Sequence, residues 1–172
     1  MNDLTFSCLY LQEDERKRVD KELANIRKQF TPKGGKMAED GSNPNLSSYQ
    51  RKKYVWKLVD IHILGYDVDF GHAEIMVLVR SNKYSVKHVG YTALSLLMRG
   101  DDPMITSARG TMVRDLTQPS TSGKSKDASD AGQALALCSI ANITGLELAQ
   151  SLQREVQQTL MAKSSSPNVK KK

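Results

Sequence analysis

Apolar residues recur at helical spacing along most of this chain, and polar stretches separate one apolar stripe from the next. In residues 13–30 the stripe advances by four, three and four residues, which places it on one face of an amphipathic helix: Val19, Leu23, Ile26 and Phe30. Glu13, Asp14 and Glu15 are predicted to lie at the N-terminal end of that helix, where the helix dipole favours negative charge.

The same pattern predicts six further helices. Gly65 is expected to end the first of them, because glycine readily adopts the left-handed conformation that closes many helices. Asp69 and Ser85 are predicted to be the N-caps of the two helices that follow. The predicted ranges are 47–64, 70–80, 86–99, 104–116, 131–143 and 145–162.

No segment shows a convincing strand pattern, so the predicted fold class is all-α with seven helices. The helices pair through mostly short turns into units of about 35–45 residues, which is typical of an α-solenoid built from HEAT or armadillo-like helical hairpins. A plain helical bundle is the alternative, although the predicted helices share no single heptad seam.

The predicted domain organisation is one helical domain with short flanking segments. The domain covers residues 13–162, after an N-terminal extension (1–12) and before a basic C-terminal tail (163–172). Two polar stretches without periodicity, 31–46 and 117–130, are predicted to be mobile loops.

Length and composition are those of a globular protein with its own core. The 172 residues are 39% hydrophobic and 26% charged. No apolar run reaches the roughly 18 residues expected of a membrane span, and the N-terminus lacks the basic region of a secretory signal. The two cysteines, Cys8 and Cys138, lie too far apart in sequence to suggest a disulfide framework or a zinc site.

No catalytic constellation is visible in the sequence. His62, His72 and His88 are isolated from any nucleophile or carboxylate at a recognisable spacing, and each is interpreted as structural. Asp67 and Asp69 precede a predicted helix, so capping is their expected role. The sequence therefore predicts a protein that is not an enzyme and that has no metal site and no cofactor.

Positive charge is concentrated in the first third of the chain. The net charge of the protein is +6, but residues 16–57 alone contain twelve Lys and Arg against four acids, a net charge of +8. Such an excess predicts an anionic partner for this region.

The strongest candidate site is a cluster of basic and aromatic residues at the start of the second predicted helix. Lys53 and Lys57 are four residues apart and share a helix face, while Arg51 and Lys52 lie in the first turn. Several cations beside a helix N-terminus suit a multiply phosphorylated anion. The predicted site residues are Tyr49, Arg51, Lys52, Lys53, Tyr54 and Lys57.

Spacing alone leaves three interpretations of this cluster open. It is a phosphoinositide site, a surface that binds nucleic acid, or the solvated end of a helix in a generic HEAT scaffold. Nucleic acid is disfavoured because no helix offers a row of base-reading side chains and aromatic residues are few. Four cations near an anionic leaflet contribute about 4 kcal/mol, roughly a thousandfold in affinity, so a lipid site would act together with other contacts.

Three segments resemble the N-terminal trunk of alpha-adaptin, a large subunit of the plasma-membrane clathrin adaptor complex. They are KRVDKELANIRKQF (17–30), YQRKKYVWKLVDIHILGYDVDFGHAE (49–74) and SNKYSVKHVGY (81–91), with a weaker match in ALALCSIANITGLELAQSL (134–152). The gamma subunit of the Golgi and endosomal complex is similar in the same region, so it remains the alternative. The segment DVDFGH favours alpha.

The resemblance implies a non-catalytic α-solenoid that is the N-terminal part of a longer superhelix. It implies assembly with a small (sigma-type) subunit, a second large (beta-type) subunit and a medium (mu-type) subunit, and an indirect link to clathrin. It also implies a peripheral location on the cytosolic face of plasma-membrane coated pits during endocytosis. The family's site for phosphatidylinositol 4,5-bisphosphate matches the six cluster residues, with an arginine in place of one lysine.

Three departures from the family pattern affect these expectations. Gln29 and Thr31 align with basic residues of the family, and Lys28, Lys33 and Lys36 are close enough to replace them. The arginine that helps the family to bind acidic dileucine cargo has no counterpart, and both polar loops look expanded. The chain also stops where further helices are expected, which suggests a fragment with an uncovered apolar end and a tendency to self-associate.

Overall fold

Helices are the regular structure of every described part of this chain. The computed structural model describes residues 3–32, 34–99, 102–117, 126–143, 145–162 and 167–171; it describes their side chains from residue 13 onward, except those of 126–129 and 168. Seven helices have eight or more residues and one has four, and no strand occurs in these ranges: α1 (Asp3–Phe30), α2 (Ser48–Ile63), α3 (His72–Val79), α4 (Tyr84–Leu97), α5 (Pro103–Thr117), α6 (Lys126–Asn142), α7 (Leu146–Met161) and α8 (Pro167–Lys170).

The helices stack in two layers, and each helix contacts the next helix of its own layer. One layer contains α2, α4, α6 and α8, and the other contains α3, α5 and α7. Contacts between consecutive helices, such as α3 with α4 and α5 with α6, join the layers, and α1 packs against α2. This repeated stacking of hairpins is that of an α-solenoid and confirms the predicted fold class.

The core lies between the two layers and is filled by aliphatic side chains. Val55 and Leu58 of α2, Ile75 of α3 and Leu94 of α4 are fully buried. Helices α3 and α4 approach closely where Gly90 lies against the backbone of Leu78 and Val79. A glycine is therefore required at this crossing, because an added Cβ would collide with the backbone of α3.

A buried polar cluster also fastens α4 to α5. The Lys87 ammonium donates to both carboxylate oxygens of Asp115 at 2.6 and 2.7 Å, and the Tyr91 hydroxyl donates to the same carboxylate at 2.8 Å. Burial, together with the charge of Asp115, raises the pKa of Tyr91, so this hydroxyl keeps its proton.

The first helix is longer than predicted. It begins at Asp3 instead of residue 13, so Glu13, Asp14 and Glu15 lie inside the helix and not at its N-terminal end. The apolar stripe is as predicted: Val19, Ile26 and Phe30 are buried, and Leu23 is half-buried against them.

The predicted stop at Gly65 is confirmed, whereas both predicted N-caps are wrong. Gly65 has a φ of +94°, and its N–H donates to the His62 carbonyl, which closes α2. The next helix begins at His72, after Gly71, while Asp69 accepts a hydrogen bond from Arg27 instead of capping it. The following helix already includes Ser85, since its N-cap is Lys83.

The polar segment 31–46 packs against the helices, which its sequence did not indicate. Ser42, Asn43 and Leu46 are buried. Asp40 accepts hydrogen bonds from the backbone and hydroxyl of Ser42 at 3.1 and 2.6 Å, and Arg80 of the α3 C-terminus lies 3.4 Å from Asp40. Tertiary contacts, and not local periodicity, hold this segment.

The two remaining predicted boundaries also shift. The polar stretch 117–130 was predicted to be a loop, but its last five residues belong to α6; residues 118–125 lie outside the described part of the chain. In the predicted C-terminal tail, the short helix α8 buries Val169 against the rest of the domain. Residues 163–166 and 172 are likewise outside the described ranges.

Candidate anion-binding site

The N-terminus of α2 is fixed by a capping box. The Ser47 hydroxyl accepts from the backbone N–H of Gln50 at 3.3 Å, and the Gln50 side chain accepts from the Ser47 N–H at 3.2 Å. The positive end of the α2 dipole therefore lies in the turn that carries the predicted cationic cluster.

The structure divides the six predicted residues into two groups by exposure. Tyr49 is 71% exposed and Lys53 is exposed, while Lys52, Tyr54 and Lys57 are half-buried. These five side chains are accessible from the solvent side of α2. Arg51 alone is buried, because it lies on the same side of α2 as the core.

Arg51 is the centre of a buried polar network and does not join the surface cluster. Its Nε donates to the Glu74 carboxylate, and its Nη2 donates to the Asn43 carbonyl at 2.8 Å. Glu74 also accepts from the backbone N–H of Asn43 at 2.6 Å. The network therefore ties α2, α3 and the segment 31–46 together, and the prediction that Arg51 is a surface cation is wrong.

Lys57 lies at the edge of the cluster and is paired with an acid of α1. Its ammonium contacts the Glu22 carboxylate, and both side chains are about one-third exposed, at 39% and 35%. The hydrogen bond from Lys57 holds the pKa of Glu22 below its usual range, with a smaller contribution from Lys53. Glu22 therefore remains ionised and offsets part of the positive charge of this surface.

Aromatic contacts support the cluster from below. The Tyr54 ring meets the edge of Phe30 with 6.3 Å between centroids, and the Lys53 ammonium lies 5.8 Å from the centre of the Tyr54 ring. Tyr54 thus connects Lys53 to the core, and the Lys53 charge stays at the surface.

The first helix adds a cation that the sequence prediction left out of the site. Arg18 is exposed and precedes Glu22 by one helical turn, so it lies on the flank of α1 that meets Lys57. The pairing of α1 with α2, which no local pattern reveals, was needed to find it. Of the three lysines predicted to replace the missing family positions, Lys28 and Lys36 are exposed and Lys33 lies outside the described residues.

The described residues contain neither a group of metal-ligating side chains nor a helix suited to span a membrane. Within them, no three His, Cys, Asp or Glu side chains are grouped as metal ligands. None of the described helices combines the length and the apolar character that a bilayer span requires. His62 and His72 are half-buried and His88 is exposed.

Comparison with known proteins gives this helical domain a family context. The family model described as "Adaptin N terminal region" matches residues 15–172. The chain is 41% identical over 161 residues to AP-2 complex subunit alpha-2 of Dictyostelium discoideum and to AP-2 complex subunit alpha-1 of Arabidopsis thaliana, covering 94% of this chain. It is 31% identical over 163 residues to AP-1 complex subunit gamma-like 2 of Mus musculus, again covering 94% of this chain. The chain spans 14% of the length of the two AP-2 relatives and 17% of the AP-1 relative.

Proposed function

Because this chain belongs to the adaptin N-terminal family, we propose that it is a non-catalytic segment of a large adaptor subunit in vesicle-mediated protein transport. The higher identity to AP-2 alpha subunits, 41% against 31% for the AP-1 gamma-like protein, supports the plasma-membrane complex over the Golgi and endosomal one. Its proposed partners are a small, a second large and a medium subunit, with clathrin bound indirectly. Its proposed location is the cytosolic face of coated pits.

The proposed ligand is the headgroup of phosphatidylinositol 4,5-bisphosphate, bound at the N-terminus of α2. The observation that carries this proposal is that Lys52 and Lys53 are both accessible on the solvent side of α2, one turn after the exposed Tyr49. Lys57 and the Tyr54 hydroxyl complete a surface that carries several donors for phosphate oxygens. Arg51 has a separate role, since its guanidinium holds the segment behind the site.

The expected strength of this site is modest. Each accessible lysine near an anionic leaflet contributes about 1 kcal/mol, so three lysines give about a hundredfold in affinity. The proposed site therefore acts together with other membrane contacts of an assembled complex, and does not dock the chain alone.

The proposal is tested by co-sedimentation of the chain with vesicles at physiological salt. We expect selective binding to vesicles with phosphatidylinositol 4,5-bisphosphate over vesicles of equal charge made with phosphatidylserine. The double variant Lys52→Ala/Lys53→Ala is expected to lower that affinity by about 30-fold, because two charges of about 1 kcal/mol each are removed.

A matched control removes two exposed charges away from α2, one at the N-cap of α4 and one on α5, in Lys83→Ala/Arg109→Ala. This control is expected to change binding much less than the α2 variant. Equal losses in both variants would mean a diffuse charge effect and would overturn the site. The nucleic-acid interpretation predicts a different result. Vesicle binding would not depend on the phosphoinositide, and the chain would bind short duplex DNA with an affinity that falls steeply as salt rises.

Glu22 supplies a test in the opposite direction. Replacing it in Glu22→Gln removes a carboxylate that is paired with Lys57, so the surface gains one unit of positive charge. We expect the affinity for phosphoinositide vesicles to rise by about fivefold, which corresponds to about 1 kcal/mol. Measured binding that is unchanged or weaker would place Lys57 outside the site. Asp69→Asn, which removes an exposed acid paired with Arg27, is the control.

A further inference from the structure

Two large aromatic side chains flank the lysines on the outward face of α2. Tyr49 is 71% exposed and Trp56 is 42% exposed. They are seven residues apart, which is two helical turns and about 10 Å along the axis, so both lie on the face that presents Lys52 and Lys53. The outward side of these two turns thus carries, in sequence order, Tyr49, Lys52, Lys53 and Trp56.

Tryptophan at such a position has a physical preference for one kind of surface. Its indole has a large apolar body and a single N–H donor, so it is stabilised where water meets hydrocarbon. An exposed aromatic residue alone carries no such meaning. Here the adjacent lysines, in a region with a net charge of +8 over residues 16–57, make the face complementary to an anionic leaflet.

The single acid of α2, Asp60, limits how far along the helix an anionic surface fits. Asp60 is exposed and follows Trp56 by one turn, so a carboxylate interrupts the outward face before the exposed Ile63 and Leu64. An anionic leaflet repels this carboxylate. The part of α2 that suits an anionic leaflet is therefore its first turns, from Tyr49 to Trp56, and not its whole length.

We propose that Trp56 is an interfacial anchor that enters the boundary between headgroups and acyl chains when the lysines engage the phosphoinositide. This inference rests on the proposed lipid site. It adds an apolar contribution to the free energy of membrane binding. The occupant of the face is an anionic lipid surface, and the indole responds to the bilayer itself and not to the headgroup.

The chain reports this event directly, because Trp56 is its only tryptophan. The intact chain is mixed with phosphatidylcholine vesicles that contain phosphatidylinositol 4,5-bisphosphate, with bromine on the acyl chains either near the headgroup or near the bilayer centre. We expect a blue shift of the emission and stronger quenching by the bromine near the headgroup, since interfacial residues penetrate only about 5–10 Å.

Sedimentation of the same samples separates the inference from the proposed function. If the chain sediments with the vesicles but its tryptophan emission shows neither a blue shift nor quenching, the proposal that Trp56 is an anchor is overturned. The proposed headgroup site is unaffected by that result. Chain that fails to sediment overturns both. A blue shift that depends on protein concentration without vesicles overturns the anchor too, and assigns the face to a second copy of the chain.

Substitution separates the anchor from the cations. Trp56→Ala is expected to lower the affinity for vesicles about tenfold, because exposed aromatic area no longer leaves water on binding. It should lower the affinity for the soluble inositol trisphosphate headgroup by a much smaller factor, whereas Lys53→Ala lowers both. Leu96→Ala, an exposed residue of α4 at 43%, is the matched control. Equal losses for vesicles and soluble headgroup in Trp56→Ala would overturn the anchor.

Discussion

Gly90→Ala is expected to destabilise the protein by about 3 kcal/mol, although alanine is normally the better helix former. A Cβ atom at position 90 would lie 2.6 Å from the backbone nitrogen of Val79 and 2.8 Å from the carbonyl carbon of Leu78. Both obstructing atoms belong to the backbone of α3, so no side-chain rotation relieves the contact. The two helices must separate, and the core between them loses its packing.

Chemical denaturation followed by circular dichroism measures this change. Gly110→Ala is the matched control, because position 110 is also helical and exposed, and nothing lies within 4 Å of its added Cβ. The control is expected to stabilise the protein by up to about 1 kcal/mol through helix propensity alone. If both variants gained stability, the close approach of α3 and α4 would be wrong.

Glu74→Ala is expected to cost about 3–5 kcal/mol, which makes it the most damaging change predicted for the region behind the cluster. The substitution leaves the Arg51 guanidinium buried without its counter-ion and removes the acceptor of the Asn43 N–H. Each such unsatisfied group bears a desolvation cost that water cannot relieve. The substitution also removes the contact between Asn43 and α3, which is one of the contacts that hold the segment 31–46.

The same measurement on Asp69→Ala provides the comparison. Asp69 forms an ion pair with Arg27 at 2.9 Å, but their side chains are 83% and 60% exposed, so its loss is expected to cost less than about 1 kcal/mol. Replacing both buried partners, in Arg51→Met/Glu74→Leu, is expected to recover much of the stability that Glu74→Ala loses. Similar costs for the buried and the exposed pair would contradict the structural role of Arg51.

This expectation also determines which variants can test lipid binding. Arg51→Ala is expected to weaken the fold, because it leaves the Glu74 carboxylate buried and unpaired. A loss of vesicle binding in that variant would therefore not identify a lipid contact. The lysines of the cluster are accessible at the surface and are the proper targets.

The helices were predictable because their signal is local. Two features show this: the apolar stripe of Val19, Ile26 and Phe30, and the helix end at Gly65. Each depends on residues only a few positions apart in the sequence. The solvent-accessible lysines of α2 followed from the same periodicity. These features need no knowledge of the tertiary structure.

The errors have a common physical origin in contacts that are distant in sequence. Arg51 looked like its neighbouring lysines, but its partner Glu74 lies 23 residues away on another helix. Asp69 looked like a cap because the alternative partner, Arg27, lies 42 residues earlier. The segment 31–46 looked loose because its anchors are on α2 and α3. Tertiary partners overrode local preference in each case.

The Arg51 network gives α2 a mechanical property that bears on the proposed contact with a membrane. The accessible Lys52 and Lys53 are adjacent in sequence to Arg51, which is anchored through Glu74 to α3 in the opposite layer. A pulling force on the lysines is therefore transmitted to α3 through the buried Arg51–Glu74 ion pair. We expect α2 to resist separation from the second layer. If α2 contacts the membrane as proposed, α2 and α3 are expected to bear such a load together.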